Sequence, residues 1–273
     1  MKPNDLTINE AAEKLGVHYM TAYRYVRTGL LPGVKDGGTW FVTAEDLEKF
    51  SNRTVAAPGR GQRDTERQVE PLVAALTRGD ERGAWRIVES LQMAGCGVEE
   101  LCTKLFVPTM AKIGSDWADG SRSIADEHRA TAIIPILLGR LRSAPLPPGR
   151  KRGLVVVGCP PNEDHGIPAS IFSLLLAVRR FEVDNLGSNT PPETFAEVAQ
   201  TANKPVAIVF SVTVPKNLTN LSKCVSAVRS VRPGIPLLAA GFATAHTTAE
   251  DLGVDGVITS FEDGLETLAS LVN

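Results

Sequence analysis

The sequence predicts a multidomain α and α/β protein: a winged helix-turn-helix, then a four-helix bundle, then a flavodoxin-like (Rossmann-type) five-stranded parallel sheet. Three observations predict it. Near the N-terminus a capping box opens two short helices joined at a glycine. Residues 68–148 then carry apolar positions at helical spacing. From residue 149 onward, short β-branched runs alternate with helical segments, the pattern of a parallel sheet with crossover helices. The 273 residues suffice for two or three domains, and a formal net charge of −2 confines any nucleic-acid binding to a local patch. No apolar run reaches the roughly 18 residues of a membrane span, and the start lacks a signal-peptide core, so a cytoplasmic protein with no membrane partner is expected. Cys96, Cys102, Cys159 and Cys224 form no CxxC pair and no zinc spacing, and read as buried thiols.

Residues 1–50 form the first domain. Thr7 and Glu10 stand at capping-box spacing, Ala11, Ala12 and Leu15 continue the helix, and Gly16-Val17 turns it. A second helix over residues 19–28 stops at Gly29, with His18 helping to cap it. It carries Tyr19, Thr21, Tyr23, Arg24 and Arg27, which suit phosphate and base-edge contacts in a major groove. Residues 30–42, with Lys35 and Trp40, read as a hairpin wing, and Thr43 opens a last short helix. The order L-T-I-N-E-A-A-E-K-L-G-V … T-A-Y-R-Y-V-R-T-G-L-L-P resembles the MerR and excisionase winged helix-turn-helix families. That resemblance implies an operator DNA as partner. A small protein-interaction domain is the competing reading. Acids match bases in number over these residues, so affinity would rest on a few contacts and on dimerisation.

Residues 51–67 hold Pro, Gly and arginines with almost nothing to bury, and read as a flexible linker. In residues 68–148, Val69, Leu72, Val73 and Leu76 mark a first helix. Trp85, Val88, Leu91 and Met93 mark a second, with Trp85 in the core, and Leu101, Leu105, Phe106, Met110 and Ile113 a third. Ser123-Ile-Ala-Asp126 is a capping box opening the fourth. Four such helices with short connections make a bundle.

Residues 149–273 form the α/β domain, with strands expected at 154–157, 182–186, 206–210, 236–240 and 256–259. Helices are expected at 171–180, 194–201, 218–231 and 247–252, and a fifth closes the chain. Parallel strands point the same way, so the turns after them share one rim, where open α/β sheets bind ligands. Three turns there carry candidate chemistry. Glu163-Asp164-His165-Gly166 follows the first strand, and a carboxylate two residues before a histidine has the makings of a metal ligand with an outer-shell partner. Ser211-Val212-Thr213 follows the third strand and Ala240-Gly241 the fourth, where small side chains let a ligand approach the backbone. Taken alone, His165 reads as a hydrogen-bonded loop histidine; it is the match of all three turns that favours a ligand.

Together the three turns resemble the cobalamin-binding domain of B12-dependent proteins, whose pattern is acid-x-His-x-x-Gly, then Ser-x-Leu or Ser-x-Thr, then Gly-Gly. The resemblance implies that His165 is the lower cobalt ligand, that Glu163 fixes its tautomer, and that the nucleotide tail threads into the sheet. Pro168 and Ala240 stand where the pattern has glycine. In the bundle, Trp117 followed after nine residues by Glu127-His128 reproduces a Trp-x9-Glu-His pattern. This pattern, behind a MerR-like domain and before a cobalamin-like one, resembles the CarH-type adenosylcobalamin-dependent photoreceptor repressors. By that resemblance Trp117 covers the upper face of the corrin, and Glu127 and His128 contact the adenosyl group. Ala118 stands where a family member can carry a cobalt-capturing histidine. The implied function is a non-enzymatic transcriptional regulator, a dimer or tetramer on DNA, controlled by light through adenosylcobalamin. Two alternatives are a corrinoid carrier of a methyltransferase system and a regulator of the same fold with a lost or different ligand.

Overall fold

The computed structural model describes residues 5–15, 19–27, 31–47, 50, 65–143 and 149–272. The chain divides into two compact units, one built on Met1–Asp64 and one on Thr65–Gln92 with Cys96–Asn273.

In the first unit β1 (Asp5–Thr7) leads into α1 (Ile8–Leu15), and α2 (Tyr19–Arg27) is followed by β2 (Val34–Asp36) and β3 (Thr39–Thr43). The three strands form an antiparallel sheet in the order β1-β3-β2. The wing turns at Gly37 and Gly38, both at positive φ, as a two-residue hairpin that matches strand twist requires. The capping box is made: the Thr7 amide and hydroxyl each donate to Glu10 Oε2 at 2.8 Å, and the Glu10 amide donates to Thr7 Oγ1 at 3.3 Å. Thr43 caps the helical turn at 44–47 in the same way through Asp46. Ile8, Ala11, Ala22, Val26, Leu31 and Val42 form its core.

In the second unit α3 (Val69–Thr77) and α4 (Glu81–Met93) precede a long third helix. That helix, α5, consists of a first turn Val98–Glu100, a π-helical stretch Leu101–Phe106 and a regular stretch Val107–Ala118. α6 (Ile124–Arg142) follows, with Pro135 inside it and the capping box of Ser123 and Asp126 at its start. The unit begins three residues inside the segment read as linker: 65–67 are helical, and Thr65 is buried with its hydroxyl 3.4 Å from Cys96 Sγ. Two positions expected on apolar faces lie further out. Met93 is exposed at the end of α4, and Trp85 is half-buried with the Arg140 guanidinium 5.3 Å above its ring.

The α/β part contains β4 (Leu154–Gly158), α7 (Gly166–Val178), β5 (Glu182–Asn185), α8 (Pro192–Thr201) and β6 (Ala207–Ser211). It continues with α9 (Leu218–Val231), β7 (Leu237–Ala240), α10 (Ala249–Leu252), β8 (Gly256–Ile258) and α11 (Phe261–Ser270). All strand pairs are parallel, in the order β5-β4-β6-β7-β8. This is the flavodoxin-like order, whose switch point lies between β4 and β6. Alternate residues face opposite layers: Val155, Val157, Ala207 and Val209 pack toward α7 and α11, while Val156, Ile208 and Phe210 pack toward α8 and α9.

The bundle core and the α7/α11 layer form one continuous apolar cluster. α7 therefore has no polar face: Ala169, Ile171, Phe172, Leu174, Leu175, Leu176 and Ala177 are all buried, as expected of a helix covered on every side. It starts at Gly166, earlier than its apolar run suggests, and ends at Val178, because Arg180 takes a left-handed φ of 69°. Glu99, in the first turn of α5, receives Arg179 at the end of α7 through two bonds of 2.6 and 3.2 Å. All four cysteines are buried. No helix among the described residues is long and apolar enough to cross a membrane.

A Cβ added at Gly264 would lie 2.8 Å from Phe172 Cζ and 2.9 Å from Ile258 Cγ2, so α11 can seat against α7 only because this position is glycine. Gly264→Ala should destabilise the protein by about 1–3 kcal/mol in denaturant unfolding.

Candidate functional site

The rim is organised by one buried carboxylate. Glu163 is fully buried, yet hydrogen bonds serve both of its oxygens. Oε1 accepts from His165 Nδ1 at 2.6 Å and from the His165 amide at 3.2 Å. Oε2 accepts from the amides of Thr213 and Val214, each at 2.9 Å, and from Asn217 Nδ2 at 3.1 Å. A buried charge is tolerated only when it is satisfied in this way. Burial pushes the Glu163 carboxyl up, but the bonds from Val214, Asn217, His165 and Thr213 outweigh it, and the group sits below its ordinary range. Held ionised, the carboxylate can only accept, so Nδ1–H donates to it and, in the neutral ring, Nε2 carries the lone pair. The His165 side chain is 56% exposed, with that nitrogen available to a ligand above the rim.

The loop that carries His165 is fixed along its length. Asn189 Oδ1 accepts from the Asn162 amide at 2.8 Å, and Asn162 itself sits at a φ of 64°, a region asparagine tolerates. Asn217 and Asn220 each donate at 2.9 Å, to the carbonyls of Asn162 and Pro161. Asn217, the last residue of the short helical turn Pro215–Asn217 that precedes α9, is thus a central positioning residue that the motif reading did not contain. Its only sequence signal is an asparagine at the N-cap of an apolar helix. Asp164 is exposed and, with Asn162, Asn189, Lys216, Asn217 and Asn220, lines a polar cavity of about 470 Å³.

In the second turn two of the three side chains lie inside the fold. The Ser211 side chain is buried, with its hydroxyl beside the Cys159 thiol. Burial, reinforced by the Glu163 charge, pushes that thiol up to about 12. Val212 is fully buried in the α8/α9 layer, because strand alternation turns it away from the rim. Only Thr213 of this trio is partly exposed, and its amide is committed to Glu163. At the third turn Ala240 and Gly241 are half-buried, and Gly241 has a φ of 110°. A Cβ on it would lie 2.3 Å from the Val212 carbonyl oxygen, so the β6 and β7 turns touch backbone to backbone. Gly166 opens α7 directly after His165.

On the bundle, Trp117 is 51% exposed at the end of α5, while Glu127 is half-buried and His128 exposed in the opening of α6. Among the described residues no hydrogen bond joins these three to one another or to the His165 loop. The turn between them is locked by Asp116, which accepts from Lys112 Nζ and Arg122 Nε, each at 2.8 Å. Arg122 also reaches Thr77 on α3 at 3.3 Å. Among the described residues no group of three or more metal-ligating side chains gathers.

In the first unit Tyr19 is exposed and stacks on Tyr23 with ring centroids 6.2 Å apart. Tyr23 is half-buried against the core, and Arg27 on α2 and Lys35 on the wing are exposed. The side chains of Thr21 and Arg24, and His18 as a whole, lie outside the described residues.

Residues 6–54 match a helix-turn-helix domain family. Residues 68–142 and 153–269 match two families, each described as a B12 binding domain. Trimethylamine corrinoid protein 1 of Methanosarcina acetivorans is 26% identical over 188 residues, covering 66% of this chain and 86% of the relative. Its Methanosarcina mazei counterpart is 22% identical over 187 residues, with the same coverage. Among solved structures, the monomethylamine corrinoid protein of Methanosarcina barkeri superposes with a TM-score of 0.59 at 14% identity, covering 74% of this chain and 96% of that one. The α/β and helical fold is therefore shared with corrinoid proteins, and the chain adds a helix-turn-helix domain before it.

Two expectations follow. Gly241→Ala should cost about 1–3 kcal/mol in unfolding experiments, since it adds both a backbone clash and a disfavoured φ. The hydrogen bonds from Lys112 and Arg122 hold the Asp116 carboxyl below its ordinary value, so its contribution is present at neutral pH and lost as pH falls through that lowered value. Asp116→Asn should therefore lower the thermal midpoint at neutral pH, and the two proteins should converge as the pH falls through that lowered value.

Proposed function

We propose that this protein, a helix-turn-helix domain fused to cobalamin-binding domains, is a DNA-binding transcriptional regulator whose assembly is governed by adenosylcobalamin. The observation that carries the reading is the His165–Glu163 pair: an exposed imidazole with its Nδ1 tied to a buried, fully satisfied carboxylate and its Nε2 left over. Such a nitrogen would suit a cobalt ion as a ligand. The donor set thus fits the cofactor at the metal.

When bound, the cofactor supplies a cobalt–carbon bond that light can break. The chain's own residues then have distinct tasks. Glu163 and Asn217 hold the imidazole upright, Gly241 and Thr213 shape the rim beneath the ring, and Trp117, Glu127 and His128 contribute the cover. Ser211 and Val212 act from inside the fold rather than as surface contacts. The layer between α7, α11 and the sheet holds Phe172, Ile258 and Phe261, the two rings 6.0 Å apart, and these residues would line any space there for the cofactor's nucleotide tail. Tyr19, Arg27 and Lys35, with Thr21, Tyr23 and Arg24 on the same helix, are assigned to the operator. The reading gives the chain no catalytic step. It works through a ligand with different affinity for two assembly states.

A second reading, a corrinoid carrier serving a methyltransferase, draws on the similarity to the trimethylamine corrinoid proteins. A third, a regulator with a lost or different ligand, draws on Pro168 and Ala240.

The test is an absorption spectrum of the purified chain with adenosylcobalamin in darkness and after green light, with gel filtration and operator binding followed in parallel. Retention of the cofactor, a larger species in darkness and release of DNA on illumination are expected. His165→Ala should lose the cobalt–imidazole spectrum and the light response together. Unchanged DNA control in His165→Ala without any cofactor requirement would favour the third reading, and methyl transfer to a partner enzyme the second.

A further inference from the structure

Phe242 stands out at the rim. It is 78% exposed, the largest exposure among the large apolar side chains described, yet its backbone is held on both sides. Gly241 before it is locked against the Val212 carbonyl. After it, the Ala243 amide donates to Val212 O at 3.1 Å, the Ala245 amide donates to Phe242 O at 3.3 Å, and Thr244 Oγ1 donates to Gly241 O at 2.9 Å. Ala243 and Thr244 are buried, so of this short helical turn (Phe242–Thr244) only the phenyl ring is presented to solvent. A floppy loop could carry an exposed aromatic at little cost, but a pinned one keeps an apolar surface in water at a fixed place.

That place is joined to the histidine loop by direct contacts. The Val212 carbonyl receives Ala243, the next residue Thr213 donates its amide to Glu163, and Glu163 holds His165. The strands concerned, β7, β6 and β4, are consecutive neighbours in the sheet, at about 4.8 Å per strand. Phe242 and His165 therefore rise from one rim at a separation on the order of 10 Å, the span of two strand spacings. The geometry points to Phe242 as a contact for the flat macrocycle of the cofactor: the imidazole holds the metal and the phenyl ring packs against the ring system to one side of it. The inference rests on the cobalamin reading of the rim. It concerns the macrocycle rather than the nucleotide tail, because the residue stands outside the fold and not in the interior layer that holds Phe172 and Phe261.

The experiment measures dark binding of adenosylcobalamin and of adenosylcobinamide, which lacks the nucleotide tail, to the full chain, its Phe242→Ala variant and its Phe242→Trp variant. Burial of one face of a phenyl ring predicts about tenfold weaker binding of both ligands by Phe242→Ala, with recovery in Phe242→Trp. Unchanged thermal midpoints, expected for so exposed a side chain, keep the comparison clean. Equal affinity of Phe242→Ala and the parent for both ligands overturns the proposal, as does a loss confined to adenosylcobalamin, which would place the contact on the tail. If the unaltered chain retains neither ligand, the cobalamin reading itself falls, an outcome separate from these two.

Discussion

The buried carboxylate of Glu163 is the constraint on which the rim depends. It lies at the switch point of the sheet, where the loops after β4 and β6 diverge, and it ties them together through five donors drawn from four residues. An anion removed from water at this depth is stable only if those donors are all in place. The loops therefore cannot move independently without exposing a charge to an apolar interior. The same bond that fixes the imidazole's orientation also fixes its tautomer, so position and chemistry of the candidate ligand come from one interaction.

Around this centre the structure distributes rigidity unevenly. Asparagines brace the histidine loop from the side of α8 and α9, and glycine lets the β7 turn press on the β6 turn. The bundle presents Trp117 at a turn clamped by Asp116 and Arg122. Chemistry-bearing side chains are thus exposed while the backbones beneath them are held, which suits a surface that receives a preformed ligand.

Much of the fold was legible because it is written in short-range patterns. The β-branched runs at 154–157 and 206–210, the capping boxes at Thr7 and Ser123 and the glycines of the wing each specify local geometry, and the strands fall within one residue of expectation. The histidine and its acid were legible for the same reason, being two residues apart. What escaped depends on contacts between distant loops. Asn217 meets Glu163 across 54 positions, and nothing in the string marks it beyond its place before a helix. The inward turn of Ser211 and Val212 follows from strand alternation combined with a sheet covered on both faces, a fact of the tertiary structure. The π-helical stretch Leu101–Phe106 has an ordinary helical sequence and leaves no composition signal.

α7 has a consequence of its own. His165 is its N-cap, most of its length is enclosed by sheet and bundle together, and Arg179 just beyond its last residue holds the start of the helix whose last turn carries Trp117. A helix packed in this way meets close-packed neighbours along most of its surface. The loop that carries His165 and the start of the helix that bears Trp117 are thereby joined to opposite ends of one buried helix.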